Sequence, residues 1–541
     1  MPVWNKYLIG SLLAGGALAL YWPTFQYPIF FDDRNLLADG HVFNFFLGGF
    51  SFSTRWLPYM TMAWIELLFE NALFMQRLFN LVLHMITAYV LYRLVLQVSD
   101  HVAPHHNNTR AGMAAAALFL LHPVAVYAVG YIIQRSILMA TLFGLLSLSA
   151  YFEGLTKRSP AQFWFAGLFY LLLSFSKEHA VLVPVAALLL TPLAGTMDRK
   201  MLLRMGLPVL LYTGVAVGMI YRYRSVIGIA YEPSAPSMLA GNVCDGAHLC
   251  SWALSAMTQA SLYFGYLLRM VWPNPDWLSI DWRVSVARNF GQIEFWFGML
   301  ALAGYAALAS FWLLKRGRLG LVGFSLLAPL ALFAVEFSTV RVQEPFVLYR
   351  AYLWMPLLFL MLPAVSNTLP ARLFWSLFFV VAFGLAWAAH DRLRSFSSEF
   401  SLWDDAARKL SDPQIPGAAR IFVNRGGFFL RDGQYDAALA DFSRALQADP
   451  ASALAHRGVV FAYLGRKEPQ IALNAVQMLI GMKPDEPEAY TARGYVYSAM
   501  NDMVRARADF ERGCENHPWK NVCVQMAIVA SRRGVSASEL Q

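Results

Sequence analysis

The chain has 541 residues, 58% hydrophobic and only 14% charged, against about 25% charged in ordinary soluble domains. That balance excludes an ordinary soluble enzyme and a disordered chain. Residues 1–390 hold 24 Lys+Arg and 16 Asp+Glu, whereas residues 391–541 hold 19 and 18, so the net +9 sits almost wholly in the apolar part and argues against a nucleic-acid partner.

Apolar runs long enough to cross about 30 Å of hydrocarbon at about 1.5 Å per residue fall at 7–25, 74–98, 112–131, 136–155, 162–175, 179–195, 205–221, 291–314, 321–337, 351–367 and 373–390. A further run at 252–271 would, as a span, throw Lys315, Arg316 and Arg318 to the outside. It is therefore read as a helix on or beside the membrane. With the basic short gaps (Lys6, Arg93, Arg110, Lys157, Arg158, Lys315) on the cytoplasmic side, the positive-inside rule gives eleven spans, an inside N-terminus and an outside tail. The first run, followed by ten more, reads as an uncleaved signal anchor. The expected organisation is an all-α membrane domain over 1–390, with periplasmic loops 26–73 and 222–290, and a periplasmic domain over 391–541.

The first outer loop, YPIFFDDRNLLADG, carries adjacent acids Asp32 and Asp33. Two neighbouring carboxylates raise one another's pKa and can supply a general base, although such pairs also occur in plain surface loops. Other polar residues recur at outer span ends: Arg55 and Glu66, Arg77, Asn80 and His84, His122, Gln134 and Arg135, Lys177, Glu178 and His179, Arg222 and Arg224, Arg269, Asp281, Arg341, Glu344 and Arg350. Charge beside a bilayer is costly, so these are functional candidates by default, and several cations around a carboxylate suit a phosphate-bearing ligand. Histidines such as His84 and His122 are more often hydrogen-bonded packing residues than catalysts. Arg222 and Arg224 also suit contact with lipid phosphate. No His or Cys spacing resembles a metal site, and there is neither a nucleotide-cradling glycine loop nor a Gly-x-Ser-x-Gly elbow.

The four cysteines form two close pairs in sequence, Cys244 with Cys250 and Cys514 with Cys523, all on the expected outer side. Two disulfides are expected there. In the tail, Pro450, Pro484 and Pro518 recur every 34 residues, as do Ala438, Ala472 and Ala506, with Phe442, Val476 and Phe510 at the aligned large position. This is the tetratricopeptide period, about three repeats of an α-solenoid. Gly426, Gly458 and Gly494 lie near the close-contact position, and Gly458, two residues early, predicts a lengthened turn in the second repeat. Such an array offers a face to a protein partner, or else only packs over the active site.

Read in order, FDDRN, STRWLP (53–58), RLFNLVLH (77–84), LFLLHPVAVYAVGYIIQRSILMATLFGLLSLSAYF (118–152), SFSKEHAVLVP (174–184), YLLRMVWPNPDWLSIDW (266–282), YRAYLWMP (349–356) and the terminal repeats resemble the transmembrane and tetratricopeptide-repeat-containing O-mannosyltransferases and their bacterial relatives, within the GT-C glycosyltransferase class. The resemblance covers nearly the whole chain. It implies that the FDD acids sit where the acceptor is handled, and because relatives with Asp-Glu there use the Asp, it favours Asp32 over Asp33 as base. It also maps the family's LHP, QRS and SKE segments onto His122, Arg135, and Lys177, Glu178 and His179. The chain departs from the family where Gln134 precedes Arg135, where Ile137 replaces an acid, and where Arg55-Trp56 replaces arginine-proline. Those departures bear on the donor sugar rather than the reaction class.

The resulting expectation is a multi-pass enzyme of the bacterial inner membrane. It would transfer a sugar, with inversion, from a polyprenyl-phosphate donor to a Ser or Thr hydroxyl of a periplasmic or secreted protein. Asp32 or Asp33 would take the proton, and Arg135, Lys177, Arg269 and Arg350 would hold the leaving phosphate. Arg55, His84, His122, Glu178 and His179 are further site candidates. No resident cofactor is expected, and whether a divalent metal assists is left open. One rival changes the acceptor to a lipid-linked glycan or lipopolysaccharide, and another is a non-enzymatic, membrane-anchored scaffold for envelope assembly.

Overall fold

The computed structural model describes residues 3–104, 108–195, 199–230, 243–244, 247–517 and 520–533. Among them all regular structure is helical. The chain divides into two compact units, Met1–Leu278 with Val286–Ser397, and Ser279–Ser285 with Ser398–Gln541. The division falls at 397, because the helix expected to end at 390 continues as Ala371–Ser395 before turning at Phe396.

Among the described residues of the first unit, five helices are long and apolar enough to cross a membrane, by length and composition: Ala72–Val102, Ile132–Lys157, Ile293–Leu314, Gly317–Ser338 and Ala371–Ser395. A sixth is the pair Thr109–Leu121 and Pro123–Val129, bent by 60° where His122 caps the second helix and Pro123 opens it. Ala72–Val102 runs 31 residues, about 46 Å at 1.5 Å per residue, because it contains neither Gly nor Pro and its first turn is capped by the Asn71 side chain. Other expected runs appear as shorter apolar helices, Pro160–Ser174, Glu178–Ala194 and Met355–Ser366, and the run at 205–221 lies within the helix Arg199–Arg222. The causes are local. Ser176-Lys177-Glu178 separates the first two, as the gap between the runs at 162–175 and 179–195 leads one to expect, and Pro356 and Pro363 break the run at 351–367 into short pieces, since proline removes an amide donor and clashes with the preceding turn. The 252–271 run lies in His248–Val271, an amphipathic helix whose start is tied by the Cys244–Cys250 disulfide (Cα–Cα 5.5 Å).

The second unit is an array of paired helices: Ala419–Arg431 with Tyr435–Ala448, Ala453–Gly465 with Pro469–Met482, and Pro487–Ala499 with Met503–Gly513. Lys520–Arg533 follows, joined by the Cys514–Cys523 disulfide (Cα–Cα 6.0 Å). Each helix starts 34 residues after its counterpart and the intra-repeat turns are equal, so the lengthened turn expected from Gly458 is absent. Position decides the matter, not residue identity. Gly426 and Gly494 admit the rings of Phe442 and Phe510, which a Cβ would meet at 2.9 and 2.5 Å. Their counterpart is Val460, buried in the same core as the smaller Val476. Gly458 makes a different contact, admitting Phe442 of the preceding repeat, whose ring a Cβ would meet at 2.4 Å. Size is thus complementary within each repeat: Gly with Phe, Val with Val, Gly with Phe.

Candidate functional site

The loop after the helix Val3–Tyr21 is pinned from both sides. Arg77 donates to the carbonyls of Thr24 and Pro28, the latter at 2.7 Å. Asp33, 1% exposed, accepts the backbone N–H groups of Ile132 and Ile133 at 3.0 and 2.8 Å. These amides open the turn leading into Arg135–Lys157, where exposed donors favour an anion. Burial pushes the Asp33 carboxyl up to about 7, against the opposing pull of those two amides and of Arg77. Asp33 is therefore spent on anchoring. Its neighbour Asp32 is exposed, and its backbone N–H donates to the Tyr131 hydroxyl at 3.1 Å. Immediately before it, Phe31 holds φ at +49°, a left-handed conformation that costs a bulky residue about 1–3 kcal/mol. A π-type turn, Arg34–Ala38, follows. Anchoring and strain together present Asp32 outward.

A charged cluster assembles from residues far apart in the chain. Arg55 Nη2 meets Glu178 Oε1 at 2.9 Å, and His179 lies between Glu178 and Glu336 at 3.3 and 3.5 Å. Glu336 also faces Arg350 at 3.0 Å and Arg341 at 3.5 Å, while Arg350 reaches Glu344 at 3.9 Å. Lys177, 4% exposed, is buried among Arg55, Glu178, Arg350 and Arg341, and burial first and the arginines second push its ammonium down to about 7. Each arginine is joined to a glutamate, so Lys177 supplies the surplus positive charge. Tyr131 lies within electrostatic reach of Asp32, Asp33 and Tyr349, and Tyr349 within that of Arg350, Glu344, Arg55 and Arg341. The acidic loop and the cationic cluster therefore lie near one another, with Tyr131 and Tyr349 in the field of both.

Other sequence candidates are engaged elsewhere. Arg135 was expected to hold phosphate but is fully buried, with Nε on Asn80 Oδ1 at 2.8 Å and Nη2 on the Gln76 carbonyl and Oε1 at 2.9 and 2.6 Å. A third nitrogen reaches Thr61 at 3.2 Å. Its donors tie three helices together instead of facing a ligand. Arg269 donates to the carbonyls of Trp277 and Gly265 at 2.8 and 3.0 Å and stacks 4.8 Å from the Phe346 ring. His84 is bonded to Tyr352 and to the Leu120 carbonyl. His122 accepts the Val124 amide and meets the Met270 carbonyl. Both histidines are packing residues. Asp281 belongs to the second unit, paired with Arg283 at 2.6 Å and Arg420 at 3.7 Å. Sequence reasoning missed Glu336, the hub of the cluster, and the bridging Tyr131 and Tyr349. An acid inside the apolar run 321–337 was the available signal. Among the described residues, no group of His, Cys, Asp and Glu is arranged to hold a metal ion.

Two family models, both described as tetratricopeptide repeat, match residues 401–453 and 429–494. RNA polymerase II-associated protein 3 of Xenopus tropicalis is 28% identical over 97 residues, 18% of this chain and 15% of the relative. The Homo sapiens protein of the same name is 24% identical over 100 residues, with the same shares. The chain therefore spans about 15% of the length of these curated relatives. By family match and by helix register, the C-terminal unit carries tetratricopeptide repeats, an architecture suited to protein–protein interaction.

Proposed function

We propose that the chain is a multi-pass inner-membrane glycosyltransferase. It takes a sugar from a polyprenyl-phosphate donor and passes it to a hydroxyl of a periplasmic or secreted protein. The observation that carries this reading is the pairing of an outward-facing Asp32, held by its buried neighbour Asp33, with a basic cluster reached through Tyr131 and Tyr349. In the proposed step the acceptor oxygen attacks the anomeric carbon as its proton passes to Asp32. The bond from that carbon to the phosphate oxygen breaks, and the lipid phosphate leaves with the bonding electrons. Lys177, with Arg55 and Arg350 behind it, meets the growing negative charge. Inversion follows from a single displacement.

The apolar helices supply the membrane setting, and the two disulfides favour the oxidising, outer side for the loops and the repeats. The repeats would bring the protein acceptor. A second reading, a membrane-anchored scaffold without chemistry, is favoured by the repeat match alone. The substitution Asp32→Asn separates the two. Loss of sugar from envelope proteins at unchanged expression supports the transferase, whereas an unaltered glycoprotein profile leaves the scaffold.

A further inference from the structure

The three repeats share one register, so each position has two internal controls. In the first and third repeats an arginine on the leading helix grips an aspartate on the second: Arg425 with Asp441, and Arg493 with Asp509, each at 2.7 Å. A further arginine, Arg444 or Arg512, stands one turn beyond that aspartate. In the middle repeat the same three positions read Val459, Ala475 and Met478. Ile471 and Met482 continue the apolar face along Pro469–Met482. Three of these side chains lie open: Ile471 at 45%, Met478 at 64% and Met482 at 48% exposure. The repeat fold does not require this stripe, because the flanking repeats build the same helix pair with Arg444 and Arg512 at the Met478 position and with Ala437 and Arg505 at the Ile471 position.

We propose that the middle repeat's stripe is a docking site for an amphipathic helix of a partner protein, one with an apolar stripe bordered by carboxylates. The length fits, since Ile471 to Met482 covers about 16 Å at 1.5 Å per residue, three helical turns. Methionines provide soft, adaptable contacts for such a helix. The charge fits as well. By the symmetry of the array, Arg444 and Arg512 stand at the Met478 position on the helices before and after it, and the Arg444 side chain is 54% exposed. A bilayer surface fits less well, because the Trp, Phe and Leu of membrane-seated helices are absent from the stripe. The proposal rests on the repeat unit alone and requires neither the transferase reading nor a membrane.

The test uses the full chain in zwitterionic nanodiscs. The probes are two synthetic 18-residue helical peptides with the same leucine stripe, one flanked by Glu and one by Lys, and separately phosphatidylglycerol vesicles. The Glu-flanked peptide should bind and protect the amides of 469–482 from hydrogen exchange. Affinity should fall at least tenfold in Ile471→Arg/Met478→Arg, which folds because the other repeats carry arginine at these positions (Arg505, Arg444 and Arg512). In Arg444→Glu/Arg512→Glu the preference should shift toward the Lys-flanked peptide. Equal affinity in wild type and Ile471→Arg/Met478→Arg would overturn the proposal, and so would protection of 469–482 by the vesicles but by neither peptide.

Discussion

In the repeat unit charge recurs with the sequence period, so that Arg425–Asp441 reappears 68 positions later as Arg493–Asp509, the aspartate buried in each case. In the first unit charge is aperiodic. Arg55, Lys177, Glu336 and Arg350 come from separate parts of the chain and converge on one cluster. A repeat needs only its neighbours, so its design is local and each position can be checked against the next copy. A convergent cluster depends on the whole unit and has no internal copy. The contrast separates what holds the molecule together from what the proposed chemistry uses.

The largest expected effect on folding lies in the repeats. Phe442→Ala removes a ring clasped between Gly426 and Gly458 and should cost about 3–5 kcal/mol, measured by denaturant unfolding with exchange resolved to the first two repeats. If the loss spread equally to the first unit, the independence of the two regions would be refuted. Next, Cys514→Ser/Cys523→Ser opens a cross-link spanning nine positions. Chain-entropy arguments put the loss at about 2.5 kcal/mol, and it should appear as faster amide exchange confined to 520–533.

In the first unit smaller energies carry larger functional consequences. Lys177→Met should weaken use of an anionic donor tenfold or more, about 1.4 kcal/mol, with the variant still folded. Because the free ammonium titrates at about 7, wild-type donor affinity should fall as pH rises from 6 to 8, and the variant should lose that slope. A pH profile unchanged by the substitution would remove Lys177 from the site. The last effect, on the pH profile of stability, concerns Asp33. Its carboxyl is raised in the folded chain to about 7 from an ordinary value of 3.8. The folded state therefore holds the proton more tightly, and the resulting stability is complete below pH 4 and lost as pH rises through about 7. Asp33→Asn should flatten this part of the stability profile, read from thermal melts between pH 4 and 8.

The repeats were legible because Pro450, Pro484 and Pro518 mark the period directly. The one misreading, at Gly458, came from matching glycines by identity when Val460 holds the equivalent position and Val476 makes room for it. The acids at 32 and 33 and the Lys177-Glu178-His179 run were also legible, as charge in a chain that avoids it. Nothing local distinguishes the anchoring Asp33 from the outward Asp32, since the difference is made by amides about a hundred residues away. The engagement of Arg135 was illegible for the same reason: Asn80, Gln76 and Thr61 reach it from other helices. The expected span at 351–367 broke up where Pro356 and Pro363 interrupt a run that hydropathy alone reads as continuous.

The central claim is that Asp32, presented by Asp33, is a catalytic base. Its most direct test is the intact mass of envelope proteins from a strain carrying Asp32→Asn beside its parent, with equal membrane levels of the chain. Loss of a discrete sugar mass from one or more envelope proteins is the predicted result. Identical masses in both strains, where a full deletion of the chain does remove the sugar, would contradict it.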